Sequence, residues 1–248
     1  MNITASYKDS FIEAVINANK EIFTYINNKI ELTDYQYTNI IGFGGDDSLK
    51  MDLYAEKVFF KYLSSFGNIF SEEYGFLDNN SEFTIIIDPL DGSNNFYSNL
   101  PYFGTSVALK KDEKTIAGFV TNLPTGIIKY RVFEDEVKYF SLHEMKEKIF
   151  FEQNKTKLAI FERAYEYPKI CENFSDLKIK FRCLGAVALS LCEANNFEFV
   201  LYMGNIRDFD IEAALYICKD LYIFQTPKTL LIAKSKEKFD LIKETINQ

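Results

Sequence analysis

The sequence predicts a mixed α+β and α/β protein, in which amphipathic helices pack on an antiparallel sheet and a smaller α/β half follows. Apolar residues recur at helical spacing at the start of the chain, short strand-like segments crowd residues 83 to about 140, and both patterns alternate after about 150. With 248 residues, 47% of them hydrophobic, the chain can bury a sizeable core. We expect an N-terminal half, residues 1–150, that shares an interface with a C-terminal half, residues 151–248.

Two amphipathic helices are expected first. In residues 2–28, the apolar side chains that share one helix face are Phe11, Ala14, Val15, Ala18, Ile22 and Ile26. A second stripe runs through "MDLYAEKVFFKYLSSFG", with Asp52 near its N-terminal end. Gly67 is expected to end this helix in the left-handed conformation.

Strand-like segments separated by Gly, Pro, Asn and Asp turns predict an antiparallel sheet. They read "FTIIID", "GTSVALKK", "TIAGFVTN", "GIIKYRVF" and "VKYFSL". "FTIII" is apolar at every position but one, which predicts a strand covered on both faces.

The second half alternates between the two periods. "KLAIF", "IKFRCL" and "LLIA" are strand-like, whereas "GAVALSLCEA", "DIEAALYICKD" and "SKEKFDLIKETI" have helical spacing. This alternation is typical of α/β structure.

Composition excludes several function classes. A formal charge of −8 gives no general attraction to nucleic acid or anionic membranes. With His143 as the single histidine, a His-based triad is nearly excluded, and a surface position is expected for it. No CxxC spacing occurs among the four cysteines, which are expected to be reduced core thiols: Cys171, Cys183, Cys192 and Cys218. With no leader-like N-terminus and no run of eighteen apolar residues, we expect a cytoplasmic protein.

Acidic residues lie where the predicted elements begin or end. Asp88 and Asp91 follow "FTIII" directly, and Asp52 and Asp210 lie at predicted helix starts. Each has a purely structural interpretation, because Asp-Pro and Asp-Gly are common turn dipeptides and acidic residues cap helices. Convergence of the carboxylates in one cleft would instead indicate a divalent cation site, because such cations prefer oxygen ligands and offset the mutual repulsion.

The order of four sequence blocks resembles the inositol monophosphatase family of metal-dependent phosphatases, which is grouped with fructose-1,6-bisphosphatases and 3',5'-bisphosphate nucleotidases. The blocks are "MDLYAE", "SEEYG", "DPLDGSNNF" and "FDIEAA", and they cover residues from about 45 to 215. The resemblance implies a layered αβαβα sandwich.

The resemblance also implies the residues of the site. Two or three magnesium ions would be bound by Glu72, Asp88, the Leu90 carbonyl, Asp91 and Asp210, with Asp88 bridging two ions. Asp52, Glu72 and Ser93 would be catalytic, positioning and deprotonating a water molecule. The implied substrate contacts are Asp91, Gly92, Ser93, Asn94, Gly185 and Arg207.

Some positions depart from the family pattern. "FD" replaces "WD", which we expect to be tolerated because the aromatic ring packs, and Glu212 stands where alanine is usual. Inositol-specific members carry a glutamate in "YEMG", but "LYMGNIRDFD" has no acid there. Arg207 nearby would suit a second phosphate. The alternative is a solvent-facing arginine at a helix start.

The leading hypothesis is a magnesium-dependent phosphomonoesterase for inositol monophosphate, fructose 1,6-bisphosphate or a 3',5'-bisphosphorylated nucleotide. A second hypothesis is a non-catalytic binding or regulatory member of the family, and a third is an acidic structural protein. The resemblance further implies sensitivity to lithium and a possible homodimer.

Overall fold

The structure is a computed structural model, which describes residues 4–150 and 156–246. The described chain begins with two helices and a β-hairpin that lies between them. Both helices lie where apolar spacing predicts them, and Thr4 caps the first by accepting a hydrogen bond from the Tyr7 N–H. The hairpin is a feature that the sequence did not predict. These elements are α1 (Ala5–Asn28), β1 (Tyr37–Ile41), β2 (Asp47–Leu49) and α2 (Lys50–Leu63).

Helix α2 ends at Leu63, so the prediction that Gly67 ends it in the left-handed conformation is wrong. Gly67 is needed for another reason. A Cβ atom at this position would lie 2.8 Å from the Phe83 carbonyl oxygen. The glycine therefore permits close approach of two backbone segments, which a local pattern cannot reveal.

Apart from the β1–β2 hairpin, the described strands of the N-terminal half form one large sheet. They are β3 (Asn68–Ser71), β4 (Gly75–Leu77), β5 (Phe83–Asp91), β6 (Gly104–Lys111), β7 (Lys114–Asn122), β8 (Ile127–Val132), β9 (Lys138–Ser141) and β10 (Lys146–Lys148). Their order is β10-β9-β8-β7-β6-β5-β3-β4. The predicted antiparallel pairing is confirmed from β5 to β9, while β3 runs parallel to β5.

The C-terminal half contributes a smaller mixed sheet in the order β12-β11-β13-β15-β14. The sequence predicted β11, β12 and β15 but neither β13 nor β14. These strands are β11 (Ala159–Glu162), β12 (Phe181–Arg182), β13 (Val200–Met203), β14 (Tyr222–Thr226) and β15 (Thr229–Ala233). The remaining helices are α3 (Ser93–Tyr97), α4 (Pro168–Asp176), α5 (Val187–Cys192), α6 (Asp208–Ile217) and α7 (Lys236–Thr245).

Three apolar cores hold five layers together. Helices α1 and α2 cover one face of the large sheet, α5 and α6 lie between the two sheets, and α4 and α7 cover the outer face of the small sheet. Strand β5 is buried on both faces, because Ile85 and Ile87 enter the first core and Ile86 enters the second. The predicted αβαβα sandwich is confirmed. The expected boundary after residue 150 adjoins residues 151–155, which lie outside the described residues.

The minor expectations have mixed outcomes. All four cysteines are free, and Cys192 and Cys218 are core thiols as predicted, but Cys183 is exposed. His143 is exposed and packs its ring on Phe23. Within residues 4–150 and 156–246, no helix is long and apolar enough to cross a membrane.

Candidate active site

A β-bulge at the end of β5 brings Asp88 and Asp91 to one side. Asp88 pairs with Ser106 of β6, and Asp91 pairs with Gly104. Three residue steps along β5 therefore face only two along β6, so β5 contains one extra residue here. In a regular strand, residues three apart point to opposite faces, and the extra residue cancels this alternation. Both aspartates therefore line one cavity, of about 330 Å³. The Leu90 N–H donates to Asp88 Oδ1 at 2.9 Å, which fixes that side chain.

Glu72 and Asp210 reach the same point from other elements. Glu72 follows β3, and its N–H donates to the Ile87 carbonyl at 3.1 Å. Asp210 lies in the first turn of α6, which packs closely on the large sheet because Gly118 has no side chain; a Cβ there would lie 2.4 Å from the Ala213 carbonyl oxygen. As a result, one carboxylate oxygen each of Glu72, Asp88 and Asp210 lie within 4.8 Å of one another.

Burial makes this convergence costly. Burial, and then the like charges of Glu72 and Asp91, raise the pKa of Asp88 well above its ordinary value. Burial likewise raises the pKa of Asp91 to about 8 and that of Glu72 to about 7. An all-oxygen set of buried, mutually repelling carboxylates fits a hard divalent cation. This acidic cluster could therefore hold a metal ion.

Arg207 supplies positive charge beside the cluster. Its Nε and Nη2 donate to the two carboxylate oxygens of Asp210 at 3.0 and 3.1 Å, and its Nη1 lies 2.7 Å from Glu72 Oε1. Nη1 also donates to Asp46 Oδ2 at 3.1 Å. The side chain is 27% exposed, so the alternative of a solvent-facing arginine is wrong. The geometry is that of a bidentate counterion.

A hydroxyl–carboxylate pair lies on the same cavity. Ser93 Oγ is 3.0 Å from Asp52 Oδ1 and 2.9 Å from the Leu90 carbonyl oxygen, so its single proton can be donated to either acceptor. Asp52 Oδ2 accepts the Leu49 N–H at 2.6 Å, which holds the carboxylate at the start of α2. Burial, followed by the charge of Glu73, raises the pKa of Asp52 to about 8.

Two glycines form part of the cavity wall beside the acidic cluster. Gly92 (φ 90°) precedes α3, and Gly185 (φ 82°) precedes α5; both are in the left-handed region that favours glycine. A Cβ on Gly92 would lie 3.0 Å from Ala186 Cβ. Asn94 faces the cavity, whereas Asn95 turns away and donates to the Tyr102 and Leu184 carbonyls, both at 2.7 Å.

Asp91 is held by backbone amides from the second half of the chain. The Val187 N–H donates to Oδ1 at 2.8 Å and the Leu189 N–H to Oδ2 at 2.9 Å. These amides open helix α5, where donors have no partner within the helix. Sequence reasoning missed both contacts because a backbone amide leaves no trace in a residue pattern.

The structure brings every site residue proposed from the sequence onto one cavity. These residues are Asp52, Glu72, Asp88, Leu90, Asp91, Gly92, Ser93, Asn94, Gly185, Arg207 and Asp210. Asp208, which the sequence placed near them, lines a different cavity. Phe209 packs on Phe70 as expected for the aromatic of "FD", and Glu212 is held by Lys110 and Thr115.

The sequence missed five other residues that line the cavity: Tyr37, Asp46, Asp47, Glu73 and Val187. A signal for the β1–β2 hairpin did exist in "GFGGDD". Gly42 and Gly44 lie against the glutamate side chains, since a Cβ on them would come within 2.5 Å of Glu73 Oε2 and 2.6 Å of Glu72 Cγ, respectively. The glycine run therefore marks where the hairpin contacts the acidic segment.

Known proteins share this fold and these blocks. A fructose-1,6-bisphosphatase/inositol-1-monophosphatase of Methanocaldococcus jannaschii is 28% identical over 243 residues, covering 90% of this chain and 92% of that protein. A fructose-1,6-bisphosphatase of Pyrococcus furiosus is 42% identical over 77 residues, 31% of this chain and 30% of its own. A crystal structure titled inositol monophosphatase-fructose 1,6 bisphosphatase superposes with a TM-score of 0.78 at 25% identity, covering 94% of this chain and 98% of that one.

Taken with these likenesses, the five-layer fold and its acidic cavity define this protein as a phosphatase. The model of the inositol monophosphatase family matches residues 50–221, so the chain belongs to the inositol monophosphatase family.

Replacing Asp88 by Asn should leave the metal-free protein as stable as wild type or more stable, because it removes one repelling charge and keeps the acceptor for the Leu90 N–H. A carboxylate whose folded pKa is raised lowers the stability of the protein as pH rises above the unfolded pKa of about 4, so the advantage of the Asn variant should grow as pH rises above that value. Thermal melts in metal-free buffer test this. Asp78→Asn is the control, since exposed Asp78 makes the same bond to Asn80. Melting of Asp88→Asn well below wild type would contradict it.

Replacing Arg207 by Ala should have the opposite effect. Removing the arginine leaves the buried carboxylates without their counterion. The free energy of unfolding, measured by urea denaturation in metal-free buffer, should therefore fall by about 3 kcal/mol. Arg163→Ala is a matched control, because Arg163 also pairs with an acid three residues on but is more exposed, and we expect a loss of about 1 kcal/mol or less. Equal losses in the two variants would show that Arg207 is not the counterion of the cluster.

Proposed function

We propose that this phosphatase hydrolyses a phosphate monoester of a small metabolite with magnesium as cofactor. The substrates considered are inositol monophosphate, fructose 1,6-bisphosphate and a 3',5'-bisphosphorylated nucleotide. The observation that carries the proposal is the meeting of Glu72, Asp88 and Asp210 oxygens within 4.8 Å, on a cavity that also holds the Asp52–Ser93 pair. A homodimer and a cytoplasmic location stay predictions.

Glu72, Asp88, the Leu90 carbonyl, Asp91 and Asp210 are the residues that would hold two or three magnesium ions. When bound, the ions would lower the pKa of water and offset the charge of the phosphate. The chain's part is to hold these oxygens in place. The Leu90 N–H fixes Asp88 and the amides of α5 fix Asp91, so neither needs to reorganise during the reaction.

Asp52, Glu72 and Ser93 are proposed to act on the attacking water. When the Ser93 hydroxyl donates its proton to Asp52, the lone pairs of Ser93 Oγ can accept a hydrogen bond from water. Asp52 would take the Ser93 proton while Ser93 Oγ takes a proton from the water, which restores the hydroxyl and leaves the water as hydroxide. Glu72 lines the same cavity and is proposed to help orient the water.

The phosphate is proposed to lie against Gly92, Ser93, Asn94 and Gly185. Both glycines line the cavity in the left-handed region, and a Cβ on either would press against packed neighbours, so the wall can take this backbone path only with glycine at these positions. Among the described residues that line the cavity, Arg207 is the one basic side chain. A second phosphate would therefore be met by Arg207, and relatives named fructose-1,6-bisphosphatase support a bisphosphorylated substrate.

Phosphate release should require magnesium and fall to background with excess EDTA, because the carboxylates need a cation to accept a phosphate dianion. Magnesium should also raise the melting temperature, since it binds the folded state. Lithium is expected to lower magnesium-supported activity, as the family resemblance implies. Undiminished hydrolysis in metal-free buffer would end the magnesium proposal, and no hydrolysis of any panel substrate with magnesium would favour the non-catalytic hypothesis.

A bisphosphorylated substrate should have a higher kcat/KM than inositol 1-phosphate, because the cavity offers Arg207 but lacks the inositol-binding glutamate. At saturating magnesium, Arg207→Ala should raise KM about tenfold for the bisphosphate alone, in line with loss of a charged hydrogen bond. Kinetics on fructose 1,6-bisphosphate, adenosine 3',5'-bisphosphate and inositol 1-phosphate measure both quantities. Equal or better efficiency on inositol 1-phosphate would refute the preference. An unchanged KM in the variant would leave Arg207 as a counterion only.

A further inference from the structure

Glu162, at the end of β11, is a buried carboxylate outside the acidic cluster. It is 1% exposed and does not line the active-site cavity. Its oxygens accept the Gly185 N–H at 2.9 Å, the Ser190 hydroxyl and the Cys183 thiol at 3.7 Å. Every one of these partners belongs to residues 183–190, which we call the support segment. A buried carboxylate that accepts all of these hydrogen bonds from one segment holds that segment in place.

The support segment also holds Asp91. Val187 and Leu189 donate their N–H groups to Asp91 Oδ1 and Oδ2, at 2.8 and 2.9 Å. The segment therefore lies between two carboxylates, Glu162 from the small sheet and Asp91 from the large one. Asn95 adds a third contact through the Leu184 carbonyl at 2.7 Å.

This arrangement fixes the direction in which Asp91 can bind anything else. Each Asp91 oxygen already accepts a hydrogen bond from one backbone N–H, of Val187 or Leu189. These two bonds fix the plane of the carboxylate, and therefore the direction of the lone pairs that are still available. Gly185 turns the chain in the left-handed region immediately before these amides, and Glu162 is bonded to the N–H of that same glycine. Loss of the bond from Glu162 would free the turn and, with it, the orientation of Asp91.

We infer that Glu162 is a positioning residue, which sets the orientation of Asp91 for metal binding through the support segment. The inference rests on the proposed function, in which Asp91 is a magnesium ligand. Glu162 itself touches neither metal nor substrate. Partners beyond the direct ligands orient them, and removing such a partner weakens metal affinity about ten- to a hundredfold.

The test is the dissociation constant of Mg²⁺, measured by calorimetry on the full chain without substrate. Glu162→Ala should raise it about tenfold or more. Glu162→Gln keeps an acceptor for the Gly185 N–H, so its value should lie between those of wild type and the Ala variant. With enough magnesium to saturate the site, kcat of both variants should return toward the wild-type value.

Phe161→Ala is the matched control, because Phe161 is a fully buried residue of the same strand whose side chain enters the outer core, which contains no residue of the support segment. It should lower the melting temperature at least as much while changing the Mg²⁺ dissociation constant by less than about threefold. If Glu162→Ala does not fold, Glu162→Gln against Phe161→Leu carries the same comparison.

The outcomes separate the inference from the function on which it rests. Equal Mg²⁺ dissociation constants in the Glu162 variant and its control, with wild type binding normally, would overturn the positioning role alone. Failure of wild type itself to bind Mg²⁺ would overturn both. Weakened binding confined to the Glu162 variants, with recovery at high magnesium, would establish the role.

Discussion

Repulsion among carboxylates that are buried at one point is the constraint on which the rest of this structure depends. Asp88, Asp91 and Asp210 are almost fully buried, and Glu72 lies against them. Each would be more stable in water, and each raises the pKa of its neighbours. The fold must therefore hold the four groups together from outside, with Arg207 as the counterion that the chain itself provides.

Several layers of the sandwich contribute to this restraint. A bulge in β5 turns two aspartates to one side, the parallel pairing of β3 places Glu72 beside them, and Gly118 lets α6 approach until Asp210 arrives. These are backbone interactions inside apolar cores, where strand register and helix position are strongly fixed. Strand register and helix packing thus set the positions of these carboxylates.

The two halves of the chain meet at Asp91. Its carboxylate comes from the large sheet, but the amides that orient it open α5, and the carboxylate that steadies those amides lies in the small sheet. In this member of the inositol monophosphatase family, neither half could complete the candidate site alone, since Asp210 also comes from the second half.

The sequence by itself determined the layers and most of the site: periodicity predicted α1, α2 and β5 to β9, and four short blocks predicted every residue of the acidic cluster. Only the tertiary structure decided which oxygens meet, that Arg207 faces Asp210 and Glu72, and that Glu162 lies behind Asp91. It also decided that Gly67 permits a close backbone approach instead of ending α2. The reason is physical. Periodicity and motifs report interactions among residues a few positions apart, whereas these contacts join residues such as Asp91 and Leu189, which become neighbours only when separate layers pack.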